Sequence, residues 1–148
     1  MTPQVFVVDT SVLASGLITG DSNSPVAGTV DAMLSGTLVY LLSPALLDEY
    51  RAVLLRPKLN RLHGLTEQEV DVLLSELVSN AIWREPGPAG AAPDPGDIYP
   101  DTGGLWALLG SHPGSVLITG DRLLLEHPPE RASVISPRTY AERFSTGM

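Results

Sequence analysis

Two aspartates directly follow short apolar segments in this sequence. Asp9 comes after residues 4–8, and Asp121 comes shortly after residues 116–119. An aspartate that leaves a buried strand is poorly solvated and needs a partner, such as a divalent cation. Either aspartate alone could simply cap the following turn or helix, but the two together favour a metal site. Each has hydroxyl neighbours that we expect to orient water or carboxylates around the metal: Thr10, Ser11 and Thr119.

A third carboxylate, Glu49, lies on a predicted helix with an apolar stripe formed by Leu46, Leu47, Tyr50, Val53 and Leu54. At about 100° per residue, Glu49 falls at the edge of this stripe, whereas Asp48 points away from the core. An acid at the edge of a buried face can reach a pocket at the end of the sheet. The alternative role for Glu49 is a surface ion pair with Arg56 or Lys58.

A fourth acid could come from the segment before the predicted helix at residues 105–109. Three aspartates stand there: Asp94, Asp97 and Asp101. The positive end of a helix dipole favours carboxylates at this position whatever their function. Most of this trio is therefore expected to be structural or solvated.

Apolar runs and capping signals predict an α/β fold with a mainly parallel sheet. Strands are predicted at residues 4–8, 38–42, 116–119 and 133–135. Helices are predicted at 25–35, at 45–55, from the capping box of Thr66 and Glu69 to Ala81, at 105–109 and at 139–144. Polar, glycine-containing residues predict loops at 16–24 and at 85–104. We expect a single domain over residues 1–148.

The composition excludes several classes of protein. The 148 residues include no cysteine, so disulfides, thiolate catalysis and cysteine-ligated zinc are excluded. The net charge of −8 argues against a protein that only coats nucleic acid, and it suits a basic partner. No apolar run approaches the roughly 20 residues of a membrane span. Because the start also lacks the pattern of a signal peptide, we expect a soluble, cytoplasmic protein.

Other chemistries have weak support. The three histidines show no ligand spacing, and neither a nucleophile elbow nor a Walker-type loop is present. A phosphatase-like hydrolase that uses Asp9 as its nucleophile remains an alternative. The basic residues nearest to Glu49 and Asp121 in the sequence could either contact phosphate or only aid solubility: Arg51, Arg56, Lys58, Arg61 and Arg122.

Three segments together resemble the PIN-domain ribonucleases, and within them the single-domain toxins often called VapC-like. The segments are Val7-Val8-Asp9-Thr10-Ser11-Val12-Leu13, Ser43-Pro44-Ala45-Leu46-Leu47-Asp48-Glu49-Tyr50, and Val116-Leu117-Ile118-Thr119-Gly120-Asp121-Arg122-Leu123-Leu124. They occur in the order and spacing of that family. The resemblance implies a three-layer sandwich in which helices flank a central, mainly parallel sheet.

The resemblance also implies a Mg²⁺ or Mn²⁺ site in a ribonuclease. By position, Asp9, Glu49 and Asp121 match the first, second and fourth acids of the family. Asp101 fits the spacing of the third acid best, with Asp97 as the substitute, because Gly103 and Gly104 depart from the usual helix start.

The partners that the resemblance implies are an RNA substrate and a basic antitoxin protein, and a homodimer stays open. A PIN-like interaction module without catalysis is the second alternative to the ribonuclease.

Overall fold

The computed structural model describes residues 3–86, 104–130 and 132–144. Its strands are β1 (Phe6–Val8), β2 (Leu41–Leu42), β3 (Ile82–Trp83), β4 (Val116–Ile118) and β5 (Val134–Ile135). Its helices are α1 (Thr10–Ile18), α2 (Pro25–Ser35), α3 (Pro44–Leu54), α4 (Pro57–His63), α5 (Glu67–Asn80), α6 (Leu105–Gly110), α7 (Arg122–Glu126) and α8 (Pro137–Arg143). Within these ranges no helix is long and apolar enough to cross a membrane.

All strand pairs in the described residues are parallel. β1 pairs with β4, and β4 pairs with β5. β2 pairs with β3, and a single bridge between Phe6 and Tyr40 joins these two strands to β1. The resulting strand order is 3-2-1-4-5, with the fully buried β1 at the centre. The predicted α/β fold with a parallel sheet is therefore confirmed.

Local capping signals place three helices where the sequence predicts them. Ser24 before α2 and Ser43 before α3 each accept a hydrogen bond from the main-chain N–H three residues further on. Gly36 ends α2 in the left-handed conformation, with φ of 80°. Thr66 and Glu69 form the complete capping box of α5. These signals act within one helical turn, so they can be read from the sequence alone.

The segment after Asp9 differs from its prediction. The predicted loop at residues 16–24 is wrong at its start, because α1 begins directly after Asp9 and continues to Ile18. The structure also contains three elements that the sequence did not predict, namely α4, β3 and α7. Most of the predicted loop at residues 85–104, including Asp94, Asp97 and Asp101, lies outside the described residues.

A close approach of α1 and α2 explains why Gly16 occurs inside a helix. A Cβ atom at Gly16 would lie 2.6 Å from the main-chain oxygen of Val26, and it would clash even more closely with Cγ2 of Val30. No side chain larger than hydrogen fits without moving one helix. Gly16 therefore fixes the distance between α1 and α2, both of which approach the end of β1.

The two helical glycines give a matched test of this contact. Gly16→Ala should destabilise the fold by about 1–3 kcal/mol, since it overpacks a tight contact. Gly28→Ala in α2 should stabilise it by about 0.5–1 kcal/mol, because a Cβ there meets nothing within 4 Å. Urea denaturation of both variants measures the difference. Equal effects of the two substitutions would contradict the assigned role of Gly16.

Candidate functional site

The carboxyl ends of β1 and β4 lie side by side in the sheet. Their register pairs Val8 with Ile118, and the main-chain N–H of Asp9 donates to the oxygen of Ile118 at 2.9 Å. β2 and β3 lie on one side of β1 in the sheet, and β4 and β5 lie on the other. The direction in which successive strands are added therefore reverses between β1 and β4. Ligand sites of open α/β sheets lie in the crevice at such a point.

Thr119 connects the two aspartates at this edge. Its side chain is completely buried, and its hydroxyl donates to Oδ2 of Asp9 at 2.7 Å. The hydroxyl oxygen of Thr119 in turn accepts a hydrogen bond from the main-chain N–H of Asp121 at 3.1 Å. A hydroxyl has one proton to donate and lone pairs to accept with, so Thr119 serves both residues at once. The structure thus brings together Asp9, Thr119 and Asp121.

Asp121 also caps a helix, as the simpler interpretation of the sequence allowed. Its Oδ1 accepts hydrogen bonds from the N–H groups of Leu123 at 2.9 Å and Leu124 at 3.4 Å, at the start of α7. The residue is exposed to solvent. Within the described parts of the chain, these bonds leave its Oδ2 free for a ligand.

Asp9 is in a different environment. It occupies the N-cap position of α1, but its side chain makes no capping hydrogen bond. Burial raises the pKa of its carboxyl above the ordinary value, and the negative charge of Asp121 adds to the rise. The hydrogen bond from Thr119 and the main-chain N–H groups of Thr10 and Ser11 oppose that rise. The charged form of Asp9 is therefore less favourable in the folded chain than in water.

A cavity of about 420 Å³ opens over the two carboxylates. α1 contributes Ser11, Val12 and Ser15 to its lining, and α2 contributes Val26. Gly120, in the turn between β4 and α7, completes it. Ser11 and Ser15 are four residues apart and so lie on one face of α1. The sequence analysis missed Ser15 because it did not predict α1. If α1 had been predicted, the spacing of four residues between Ser11 and Ser15 would have indicated that Ser15 lies on the same face of the helix.

The remaining predicted residues lie in various places. Thr10 is buried at the start of α1 and does not line the cavity. Glu49 is half-buried on α3, and none of the ion pairs found in the described residues involves it, so the alternative pairing with Arg56 or Lys58 is not seen there. Asp97 and Asp101 lie outside the described residues.

The chemistry of the paired aspartates fits a hard divalent cation. Mg²⁺ and Mn²⁺ prefer oxygen ligands, and a cation would relieve both the poor solvation of Asp9 and its repulsion by Asp121. Among the described residues, no group of three or more His, Asp or Glu side chains is close enough together to hold a metal ion. Asp9 and Asp121 are thus the two acids that the structure itself associates.

A larger groove of about 510 Å³ lies between the end of α1 and α5, but its lining does not suggest catalysis. Leu17, Leu65, Val72 and Leu73 make it mostly apolar. Glu69 also lines this groove, but its side chain already accepts a hydrogen bond in the capping box of α5. The smaller cavity over Asp9 and Asp121 is therefore the better candidate.

The fold and the site together define an α/β protein with paired carboxylates at the reversal point of a parallel sheet. The PIN domain family model matches residues 5–99, about two thirds of the chain, and the chain belongs to this family. The matched region contains Asp9, Glu49 and Asp97, and it ends before Asp101 and Asp121. No curated protein and no solved structure matched the sequence. PIN domains are in general nucleases, they bind RNA, and they typically use divalent metals.

The raised pKa of Asp9 leads to a prediction for the metal-free protein. An acid whose pKa is higher in the folded than in the unfolded state destabilises the fold once the pH is high enough to ionise it. Asp9→Asn should therefore raise the Tm at pH 7.5 in EDTA, and this gain should shrink as the pH falls toward the ordinary aspartate pKa of 3.8. Differential scanning fluorimetry across this pH range measures both effects.

Asp48→Asn provides the control for that experiment, since Asp48 is exposed on α3. It should change the Tm little at any pH. A lower Tm for Asp9→Asn than for the wild type in EDTA at pH 7.5 would contradict the account of Asp9 given above.

Proposed function

We propose that this chain is a Mg²⁺- or Mn²⁺-dependent ribonuclease and the toxin of a toxin–antitoxin pair. The observation that carries the proposal is the buried hydroxyl of Thr119, which donates to the carboxylate of Asp9 and accepts from the main-chain N–H of Asp121. Both aspartates line a cavity of about 420 Å³ at the reversal point of the sheet. The pair is built from residues far apart in the sequence. Membership of the PIN domain family supports nuclease chemistry at this position.

Each residue of the site has a separate role in this proposal. Asp9 and Asp121 bind the cation through their carboxylate oxygens. Thr119 holds the Asp9 carboxylate in place, and Ser11 and Ser15 offer hydroxyls that orient water inside the cavity. A bound Mg²⁺ or Mn²⁺ supplies Lewis acidity toward water and a phosphodiester. Val12 and Val26 make one side of the cavity apolar, which limits the water that reaches the reacting group.

Glu49 and Asp101 complete the set of four acids that we propose. Glu49 shares α3 with Tyr50, whose hydroxyl contacts the last residue of β1, so the helix itself adjoins the site. Asp101 is proposed from its spacing of 20 residues before Asp121. Asp97 is the alternative for this third position.

The basic residues can be assigned in part. Arg51 donates to Asp71 and Glu67, so its guanidinium serves to hold α3 against α5. Arg122 follows Asp121 directly, and its highly exposed side chain is only 3.6 Å from Glu126, a weak surface pair. We propose Arg122 as a contact for substrate phosphate. A few local cations of this kind are compatible with a net charge of −8.

The acidic charge also supports the toxin role. A basic antitoxin segment lying over the carboxylates would complement this charge and exclude substrate. We also propose a cytoplasmic location, which is consistent with an RNA substrate. We further propose that the chain forms a homodimer, and light scattering of the purified chain tests this.

Expression of the wild type, but not of Asp9→Asn, should arrest bacterial growth. Growth unaffected by the wild type would contradict the toxin role and leave the nuclease proposal to the assay below.

The nuclease proposal predicts a graded loss of RNA cleavage. Asp9→Asn and Asp121→Asn should each reduce Mn²⁺-dependent cleavage by more than about 100-fold, because each removes a ligand charge. Thr119→Val keeps the shape of Thr119 but removes the hydroxyl, and it should cost about 10–100-fold, as for other groups that orient ligands. A fluorogenic RNA assay with matched Asp48→Asn protein as control measures these losses.

Two outcomes would redirect the proposal. Full activity of Asp9→Asn would exclude the site, and an acyl-phosphate trapped on Asp9 would favour the phosphatase-like alternative. A wild-type chain whose Tm does not change on titration with Mg²⁺ or Mn²⁺ would favour the non-catalytic PIN-like module, since a ligand of the folded state must stabilise it.

The third acid is tested by comparing two variants. Asp101→Asn should weaken Mn²⁺ binding and cleavage more than Asp97→Asn, because Asp101 is the nearer of the two to α6 in the sequence and the N-terminal dipole of a helix favours a carboxylate. Isothermal titration of both variants with Mn²⁺ measures the affinities. A larger loss in Asp97→Asn would reverse the assignment, and no loss in either variant would leave a site of three acids.

A further inference from the structure

Tyr50 makes a contact that the apolar stripe of its helix does not require. Its side chain is completely buried, and its hydroxyl donates to the main-chain oxygen of Val8 at 2.6 Å. Val8 is the last residue of β1, and Asp9 follows it directly. The sequence places Tyr50 only in the apolar stripe of α3. In the structure its hydroxyl holds the peptide group between Val8 and Asp9.

The sheet explains why Val8 needs this donor. Phe6 donates to Val39 and forms its bridge with Tyr40, so Phe6 uses its main-chain groups on the side of β2. Val8 lies two residues further on and faces the same side. β2 ends at Leu42, however, and the chain turns at Ser43 into α3. Continuing the parallel register from Phe6 and Tyr40 sets Val8 opposite Leu42, so the N–H due to reach the Val8 oxygen is that of Ser43, where the chain leaves the sheet. The hydroxyl of Tyr50 donates to this oxygen instead.

This hydrogen bond fixes α3 relative to the end of β1. Tyr50 lies about two helical turns after Ser43, where α3 leaves the sheet, and it follows Glu49 in the sequence. A rigid link at Tyr50 therefore restrains both the Val8–Asp9 peptide and the part of α3 that bears Glu49.

We infer that Tyr50 is a positioning residue of the site, whose hydroxyl sets the position of Asp9 and its distance from Glu49. This inference rests on the proposed function, because the geometry it protects is that of the cation-binding acids. Tyr50 contacts neither substrate nor cation in this role. It acts through the main chain of Val8, so its loss should weaken the site more than it weakens the fold.

The chain contains a matched control for Tyr50. Tyr40 is also completely buried, and its hydroxyl donates to a main-chain oxygen, that of Leu77 in α5. The two tyrosines therefore differ mainly in which carbonyl they hold. Tyr40→Phe and Tyr50→Phe each remove one buried hydroxyl and leave the aromatic ring in place, so their structural effects should be similar.

The test compares the two variants in three measurements: Tm without cation, Mn²⁺ affinity by isothermal titration, and kcat and KM for a fluorogenic RNA. Both variants should lose a similar amount of Tm. Tyr50→Phe should bind Mn²⁺ about 10-fold more weakly and lose about 10–100-fold in kcat with little change in KM. Tyr40→Phe should stay within about twofold of the wild type in both affinity and kcat.

The possible failures of the two hypotheses are distinguishable. A wild type that binds Mn²⁺ and cleaves RNA, with Tyr50→Phe equal to Tyr40→Phe in affinity and kcat, overturns the role of Tyr50 alone. A wild type that neither binds Mn²⁺ nor cleaves RNA overturns the proposed function, and the role of Tyr50 with it. All measurements are made at least 10 °C below the lower Tm, so that unfolding of a variant does not imitate a loss of function.

Discussion

The poor solvation of the Asp9 carboxylate is the constraint on which this end of the sheet depends. β1 is buried along its whole length, and burial also raises the pKa of the aspartate that follows it. The hydroxyl of Thr119 compensates part of this charge, and it reaches Asp9 only because β4 runs parallel to β1 in the observed register. The remaining cost of burying the charge leaves the pKa of Asp9 raised.

Three helices depend on the same point. α1 starts directly after Asp9 and places Ser11 and Ser15 along the cavity. α2 can add Val26 because Gly16 lets the two helices approach closely. α3 is attached from the other side through the hydroxyl of Tyr50. All three helices therefore make their contacts close to the peptide group between Val8 and Asp9. This arrangement explains how a short strand can support a site with a defined geometry in a chain of 148 residues.

The sequence alone determined those features whose causes are local. A continuous apolar run predicts the buried β1, and the serine–proline pairs predict the starts of α2 and α3. The capping box of Thr66 and Glu69 gives the start of α5. Asp9 and Asp121 could be proposed as partners because parallel strands end at one edge of a sheet, and that rule needs only the fold class. Membership of the PIN domain family confirms the class.

Only the tertiary structure decided the contacts that make these residues a site. Asp9 and Thr119 are 110 positions apart, and their hydrogen bond follows from strand register, which no local pattern encodes. α1 was missed because it is short and includes Gly16, so packing against α2 stabilises the helix more than its own propensity does. Tyr50 looked like one more core residue, since a hydroxyl's partner depends on where β2 ends and α3 turns. Local signals fix where elements begin, and packing between distant segments fixes which polar groups meet.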